Sequence, residues 1–180
     1  MPDSPTPVQS DVAERLARDI HLRQVDKAGR PYIRHIERVV ENLLRRWPGA
    51  TDDEIAAAWL HDAIEDSPWD GPLLLRAGVS PGAVAIVEEL TRPKGWAYLD
   101  WIRALAAIGG LSAVKVKLAD NEDNSDPERV AAIVDGASLL ERRYRPAREM
   151  LECRIAATAR DGADAASGCW WRCCGDGAGQ

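Results

Sequence analysis

The stretch Ala56-Ala57-Ala58-Trp59-Leu60-His61-Asp62-Ala63-Ile64-Glu65-Asp66 decides how the rest of the chain is read. Its first half has the composition of a buried helix, yet positions 61 to 66 carry one imidazole and three carboxylates. Moving an unpaired charge into an apolar interior costs on the order of several kcal/mol, so such groups are normally paired, exposed or bound to a metal. His61, Asp62, Glu65 and Asp66 therefore call for one common explanation.

Just upstream, Thr51-Asp52-Asp53-Glu54 has the capping-box pattern, in which the Thr51 hydroxyl and the Glu54 carboxylate each satisfy a free backbone N–H. A helix is expected from there to Asp66, ended by Ser67-Pro68. At 3.6 residues per turn it would stack His61 with Glu65 on one edge and Asp62 with Asp66 on the next.

Toward the N-terminus, Val12, Leu16 and Ile20 recur at helical intervals, predicting an amphipathic helix over about 8–25, broken by Asp26-Lys27-Ala28-Gly29-Arg30. Pro31 suits the first turn of a second helix, whose stripe Tyr32, Ile36, Val39, Val40, Leu43 and Leu44 ends at Trp47-Pro48-Gly49. His35 sits at the edge of that stripe. Downstream, Asp70 opens a short helix through Leu75, Ser80-Pro81 pairs an N-cap with a first-turn proline, and Ala97 to Ile108 precedes Gly109-Gly110. The run Ala113 to Asp120 alternates like a strand, but its neighbours are all helical and it is read as helix. An alanine- and leucine-rich helix over 131–159 completes an all-α domain.

With 180 residues, 46% hydrophobic and 29% charged, the chain fits one soluble domain with its own core, over 1–159 (core about 8–158). A net charge of -6 argues against a general DNA- or RNA-binding surface. No run approaches a membrane span, and the N-terminus lacks a signal-peptide pattern, so a cytoplasmic location is expected. Cys169, Cys173 and Cys174 lie among glycines in residues 160–180, which read as a disordered Gly/Cys-rich tail rather than a disulfide framework.

The chain has only three histidines, His21, His35 and His61. A single His-Asp pair is commonplace, but two histidines beside apolar faces with several carboxylates are not. Asp120-Asn121-Glu122-Asp123-Asn124 adds a second acidic cluster; the apolar face reaches Asp120 through Leu118 and Ala119, while Glu122 and Asp123 read as a solvated helix end.

Three segments together resemble the HD-domain metal-dependent phosphohydrolases, most closely the ppGpp hydrolases of the RelA/SpoT type and the small alarmone hydrolases. They are His21 through Gly29-Arg30-Pro31-Tyr32-Ile33-Arg34-His35, Ala58 through Asp66, and Val116-Lys117-Leu118-Ala119-Asp120 with Asn124. The resemblance implies a single HD-domain helical bundle with His35, His61, Asp62 and Asp120 as metal ligands and Mn²⁺ as cofactor. This mixed nitrogen and oxygen set suits Mn²⁺, Fe²⁺, Co²⁺ or Zn²⁺ better than Mg²⁺. By the same resemblance Glu65 and Asp66 handle the attacking water and the leaving-group proton. The resemblance also implies that Lys27 lies near the substrate phosphates and that Asn124 contacts the nucleotide.

The implied reaction removes the 3′-pyrophosphate of ppGpp, a small-molecule nucleotide. Oligomeric state is not indicated. The relatives usually carry Arg-Lys before the glycine, the arginine holding the guanine, where this chain has Asp26. They also carry a basic residue after the aspartate and a histidine before the asparagine, here Asn121 and Asp123. Two alternatives stay open: an HD phosphohydrolase for another nucleotide or phosphorylated metabolite, and a non-catalytic nucleotide-binding module. The intact Glu65 and Asp66 weigh against the second.

Overall fold

The computed structural model describes residues 9–161, so most of the expected tail, including its cysteines, lies outside the described residues. The chain folds as helices α1 (Gln9–Ile20), α2 (Ile33–Arg46), α3 (Asp52–Leu60), α4 (Ala63–Asp66), α5 (Gly71–Arg76), α6 (Pro81–Leu90), α7 (Tyr98–Ile108), α8 (Leu111–Asn124), α9 (Pro127–Ala131), α10 (Gly136–Leu139) and α11 (Arg145–Asp161). Among the described residues the only β-type pairing is an isolated bridge between Val25 and Pro31. No described helix is long and apolar enough to cross a membrane.

The hub is α3. Ala56, Ala57, Ala58 and Leu60 are fully buried, and their three small side chains let α1, α2, α6 and α8 pack against this one short helix. The second interior helix is α8, where Ala113, Val114, Val116, Leu118 and Ala119 are all fully buried between α2 and α11. Because neighbours cover it on more than one side, it lacks the one-sided stripe of a surface helix, and its apparent alternation reflects burial rather than a strand. Asn42 Nδ2 donates to the Ala119 carbonyl at 3.1 Å and fixes α2 against α8.

Capping sets most boundaries. The Thr51 hydroxyl accepts from Glu54 N at 3.2 Å, and Glu54 Oε2 accepts from Thr51 N at 3.0 Å. Ser80 and Asp70 cap α6 and α5 as their positions imply. Asp52 does something the sequence did not announce: its carboxylate accepts from Gln9 N and Ser10 N at 2.7 and 3.1 Å and so caps α1 from a distant segment.

Two expected helices are interrupted. The one expected through Asp66 breaks after Leu60, where Asp62 adopts φ -104°, ψ 0°, and restarts at Ala63. The helix expected over 131–159 is divided by Asp135, at φ 61°, and by a π-helical turn at Leu140–Tyr144. A Cβ on Gly136 would lie 2.0 Å from the Val130 carbonyl oxygen, so only glycine permits this return of the chain.

Glu54 also reaches across to α8. Its Oε1 accepts from Ser112 Oγ and Lys115 Nζ, both at 2.8 Å, with the side chain almost fully buried. Burial raises its pKa, but Lys115, the Thr51 N–H and Ser112 outweigh it and hold the carboxyl below the usual glutamate range. Glu54→Ala is expected to cost about 2 kcal/mol in urea unfolding at pH 7, from the lost cap and the groups left unpaired. Since the folded pKa is depressed, the Glu54 contribution is present above the unfolded value. The gap between wild type and variant should shrink as pH falls through the folded pKa; a gap independent of pH would contradict this role.

Candidate metal centre and cavity

The junction of α2, α3 and α8 is where the chemistry-bearing residues meet. His35 comes from the first turn of α2, His61 and Asp62 from the break after α3, and Asp120 from the last turns of α8. His35, His61 and Asp62 each offer a ligand atom, and these atoms all lie within 4.8 Å of one another. Asp120 Oδ1 is 3.3 Å from His35 Nε2 and 3.7 Å from His61 Nε2, while Asp62 Oδ2 is 3.7 and 2.9 Å from the same two nitrogens. The break after Leu60 is what places two consecutive residues at the cluster.

Each imidazole is held by its other nitrogen. His61 Nδ1 lies 2.9 Å from the Ala58 carbonyl, which can only accept, so Nδ1 carries the proton. His35 Nδ1 lies 2.6 Å from Asp123 Oδ2. Both Nε2 atoms are thereby turned inward as the free ligand atoms, the arrangement that orients metal-binding histidines. His61 Nε2 is buried and has no hydrogen-bond partner. A buried ring nitrogen without a hydrogen-bond partner, beside two carboxylates, fits a divalent cation of the Mn²⁺, Fe²⁺ or Zn²⁺ kind.

The electrostatics point the same way. Burial opposes a charged imidazole, but Asp120, Asp123 and Asp62 more than offset it and raise His35 to about 9. Burial likewise opposes charge on His61, and Asp62 and Asp120 raise it to about 10. Burial pushes Asp62 and Asp120 up, yet the histidines, with Lys117 beside Asp120, hold both well below the usual range. The cluster thus has a strong preference for positive charge. Tyr32 donates its hydroxyl to Asp62 Oδ2 at 2.5 Å, and Asn124 Nδ2 donates to Asp120 Oδ1 at 2.6 Å.

A cavity of about 390 Å³ opens over this cluster. Lys27, His35, Asp62, Glu65, Asp66, Asp120 and Asn124 all line it; His61 alone of the expected site residues stands behind the wall. Glu65 pairs with Arg92 at 3.2 Å, and Asp66 accepts from Gln24 Nε2 at 3.0 Å. Burial, and then the Asp62 charge, raise Asp66 above the ordinary aspartate value.

Asp123 is not a solvated helix end. It is buried and binds His35, Arg38 and Arg129, with Arg129 Nη1 at 2.9 Å. Its signal was the three-residue spacing from Asp120, which puts both on one helical face. Glu122 is likewise engaged, with Arg46 at 2.5 Å and Arg45 at 3.2 Å. Asn121 is fully buried and donates to the Tyr144 carbonyl at 3.0 Å.

Asp26 also lines the cavity. Its Oδ1 accepts from Ala28 N and Arg30 N at 2.9 and 3.0 Å, closing a turn in which Gly29 takes φ 76°, and its Oδ2 lies 3.6 Å from Arg129. That turn presents Lys27 to the cavity. Arg92, Gln24, Arg129 and Arg143 are wall residues that no local sequence pattern marked.

No family model matches this chain, and neither does any curated protein sequence. One solved structure similar to it is that of a metazoan protein described in the words "A metazoan ortholog of SpoT hydrolyzes ppGpp and plays a role in starvation responses". The match has a TM-score of 0.60 and 20% sequence identity, and covers 88% of this chain and 98% of that one. The chain therefore shares the all-α helical-bundle fold of that protein.

Proposed function

We propose that this protein is a metal-dependent phosphohydrolase that removes the 3′-pyrophosphate of ppGpp or a closely similar nucleotide, in the cytoplasm. What carries the reading is the convergence of His35, His61, Asp62 and Asp120, with inward Nε2 atoms, against a cavity that His35, Asp62 and Asp120 line together with Glu65 and Asp66. The metazoan protein of the same fold, which hydrolyses ppGpp by its description, supports the choice of substrate.

In this reading His35, His61, Asp62 and Asp120 hold the cation, taken to be Mn²⁺. When bound, it supplies positive charge that polarises a phosphoryl oxygen and acidifies water. Asp66 is suited to move a proton, because its pKa lies above the ordinary aspartate value and closer to neutrality. Glu65, steadied by Arg92, orients the water for attack on phosphorus. The bond that breaks joins that phosphorus to the 3′ oxygen, which leaves with a proton; GDP or GTP and pyrophosphate result. Lys27 faces the phosphates from its turn and Asn124 faces the nucleotide.

One observation favours a second reading, hydrolysis of a different nucleotide. Asp26 stands where the relatives keep a base-holding arginine, and its carboxylate is engaged by its own turn.

With Mn²⁺ added, the purified protein should release pyrophosphate from ppGpp in a coupled assay. Release only from other phosphate esters would move the assignment to the second reading, and binding without any product would leave a nucleotide-binding module. Glu65→Gln and Asp66→Asn should each lower kcat by about 10²-fold or more while Mn²⁺ stays bound. Metal loss in either variant would overturn this division of roles. His61→Ala should lose both metal and turnover. Asp123→Ala should weaken Mn²⁺ binding by about 10- to 100-fold in a calorimetric titration, as loss of an outer partner of a ligating histidine does; unchanged affinity would remove Asp123 from the centre.

A further inference from the structure

His21 is the one histidine of the chain without a place in the metal centre, and it lies just past the end of α1, only 1% exposed. Its ring packs against the Tyr32 ring at 5.1 Å between centres, and Tyr32 in turn donates to Asp62. The single hydrogen bond of its side chain among the described residues joins Nδ1 to Gln24 Oε1 at 2.6 Å. Its Nε2 is buried and has no partner.

Gln24 carries that contact to the cavity, which it lines while His21 stands behind it. The Gln24 backbone is held at both ends: its N–H donates to the His21 carbonyl at 3.1 Å, and its carbonyl accepts from Tyr32 N at 2.9 Å. The side-chain Nε2 then donates to Asp66 Oδ2 at 3.0 Å. A carboxylate can only accept, so the amide nitrogen has to face Asp66 and the amide oxygen has to face His21. That oxygen needs a donor, which puts the His21 proton on Nδ1. The unpartnered Nε2 is thereby left without a proton, and no N–H is buried without an acceptor. A histidine that merely filled the core would have no need to fix an amide at the cavity wall.

We propose that His21 and Gln24 are positioning residues for Asp66: His21 locks the Gln24 amide, which holds Asp66 Oδ2 and leaves Oδ1 for proton transfer. A third group that orients an acid or base in this way is a recurring device of catalytic sites. The relay stands on its own geometry, while its part in catalysis rests on the role given to Asp66 above.

Proton–nitrogen correlation spectra of the protein loaded with diamagnetic Zn²⁺ test the relay without turnover. They should place the His21 proton on Nδ1, and the Gln24 side-chain amide resonances should shift in Asp66→Ala. A His21 proton on Nε2, or Gln24 resonances indifferent to Asp66→Ala, would overturn the relay. With Mn²⁺ and ppGpp, Gln24→Leu should lower kcat by about tenfold or more, with KM and Mn²⁺ affinity within about twofold of wild type. His21→Ala should lower kcat to a similar degree, and the double variant should be no worse than Gln24→Leu, because the two residues act in series. His21→Asn should recover most of the loss, since its Nδ2 donor can stand in for Nδ1. If His21→Ala lowers Tm too far to assay, Gln24→Leu and His21→Asn decide alone. An unchanged kcat in Gln24→Leu, a raised KM with kcat intact, losses that multiply in the double variant, or a His21→Asn variant no better than His21→Ala would each overturn the proposal. If wild type turned over no nucleotide, the part in catalysis would fall with the proposed reaction, whereas the spectra would still decide whether the relay exists.

Discussion

Burying charge is tolerable only where charges compensate one another, and the interior of this bundle is arranged around that constraint. His35, His61 and Asp120 are each at most 3% exposed, with Lys117 and Asp123 only slightly more so or equal. No single pair among them balances. Asp120 is shared by both imidazoles, Lys117 and Asn124, and Asp123 by His35 and two arginines. Removing one member leaves several others uncompensated, which is why a buried network of this kind is either complete or costly.

The helices serve that network. The alanines of α3 bring α2 and α8 close enough for side chains on three elements to converge, and the break after Leu60 turns both His61 and Asp62 toward the same point. Outer contacts then set the direction of the ligand atoms: the Ala58 carbonyl holds one imidazole, Asp123 the other, and Tyr32 holds Asp62. A metal would thus meet groups already oriented, and the cost of ordering them is met during folding rather than on binding.

Much of the bundle was legible in the sequence, because its helix ends are written in local chemistry. Thr51 with Glu54, Ser80 with Pro81 and the Trp47-Pro48-Gly49 stop all act within one turn. What was not legible depends on partners far along the chain. Asp123 looks solvated until Arg38 and Arg129 arrive from other helices, and Asp52 reads as a first-turn acid until it caps α1. The break at Asp62 has no local breaker, since tertiary packing overrides a helical pattern there, whereas the π-helical turn at Leu140–Tyr144 runs into Pro146, which has no N–H to bond back to Arg142. The part of Asp26 that was not legible is its pairing with a distant residue: Oδ1 closes its own turn, while Oδ2 lies 3.6 Å from Arg129.

The central claim is that four side chains drawn from three parts of the chain form one metal centre. Anomalous diffraction from a Mn²⁺-soaked crystal tests it most directly. The account predicts a single strong peak within coordinating distance, about 2.0–2.3 Å, of His35 Nε2, His61 Nε2 and a carboxylate oxygen from each of Asp62 and Asp120. A fully exposed crystal with no peak there, or with its strongest peak on other carboxylates, would contradict it.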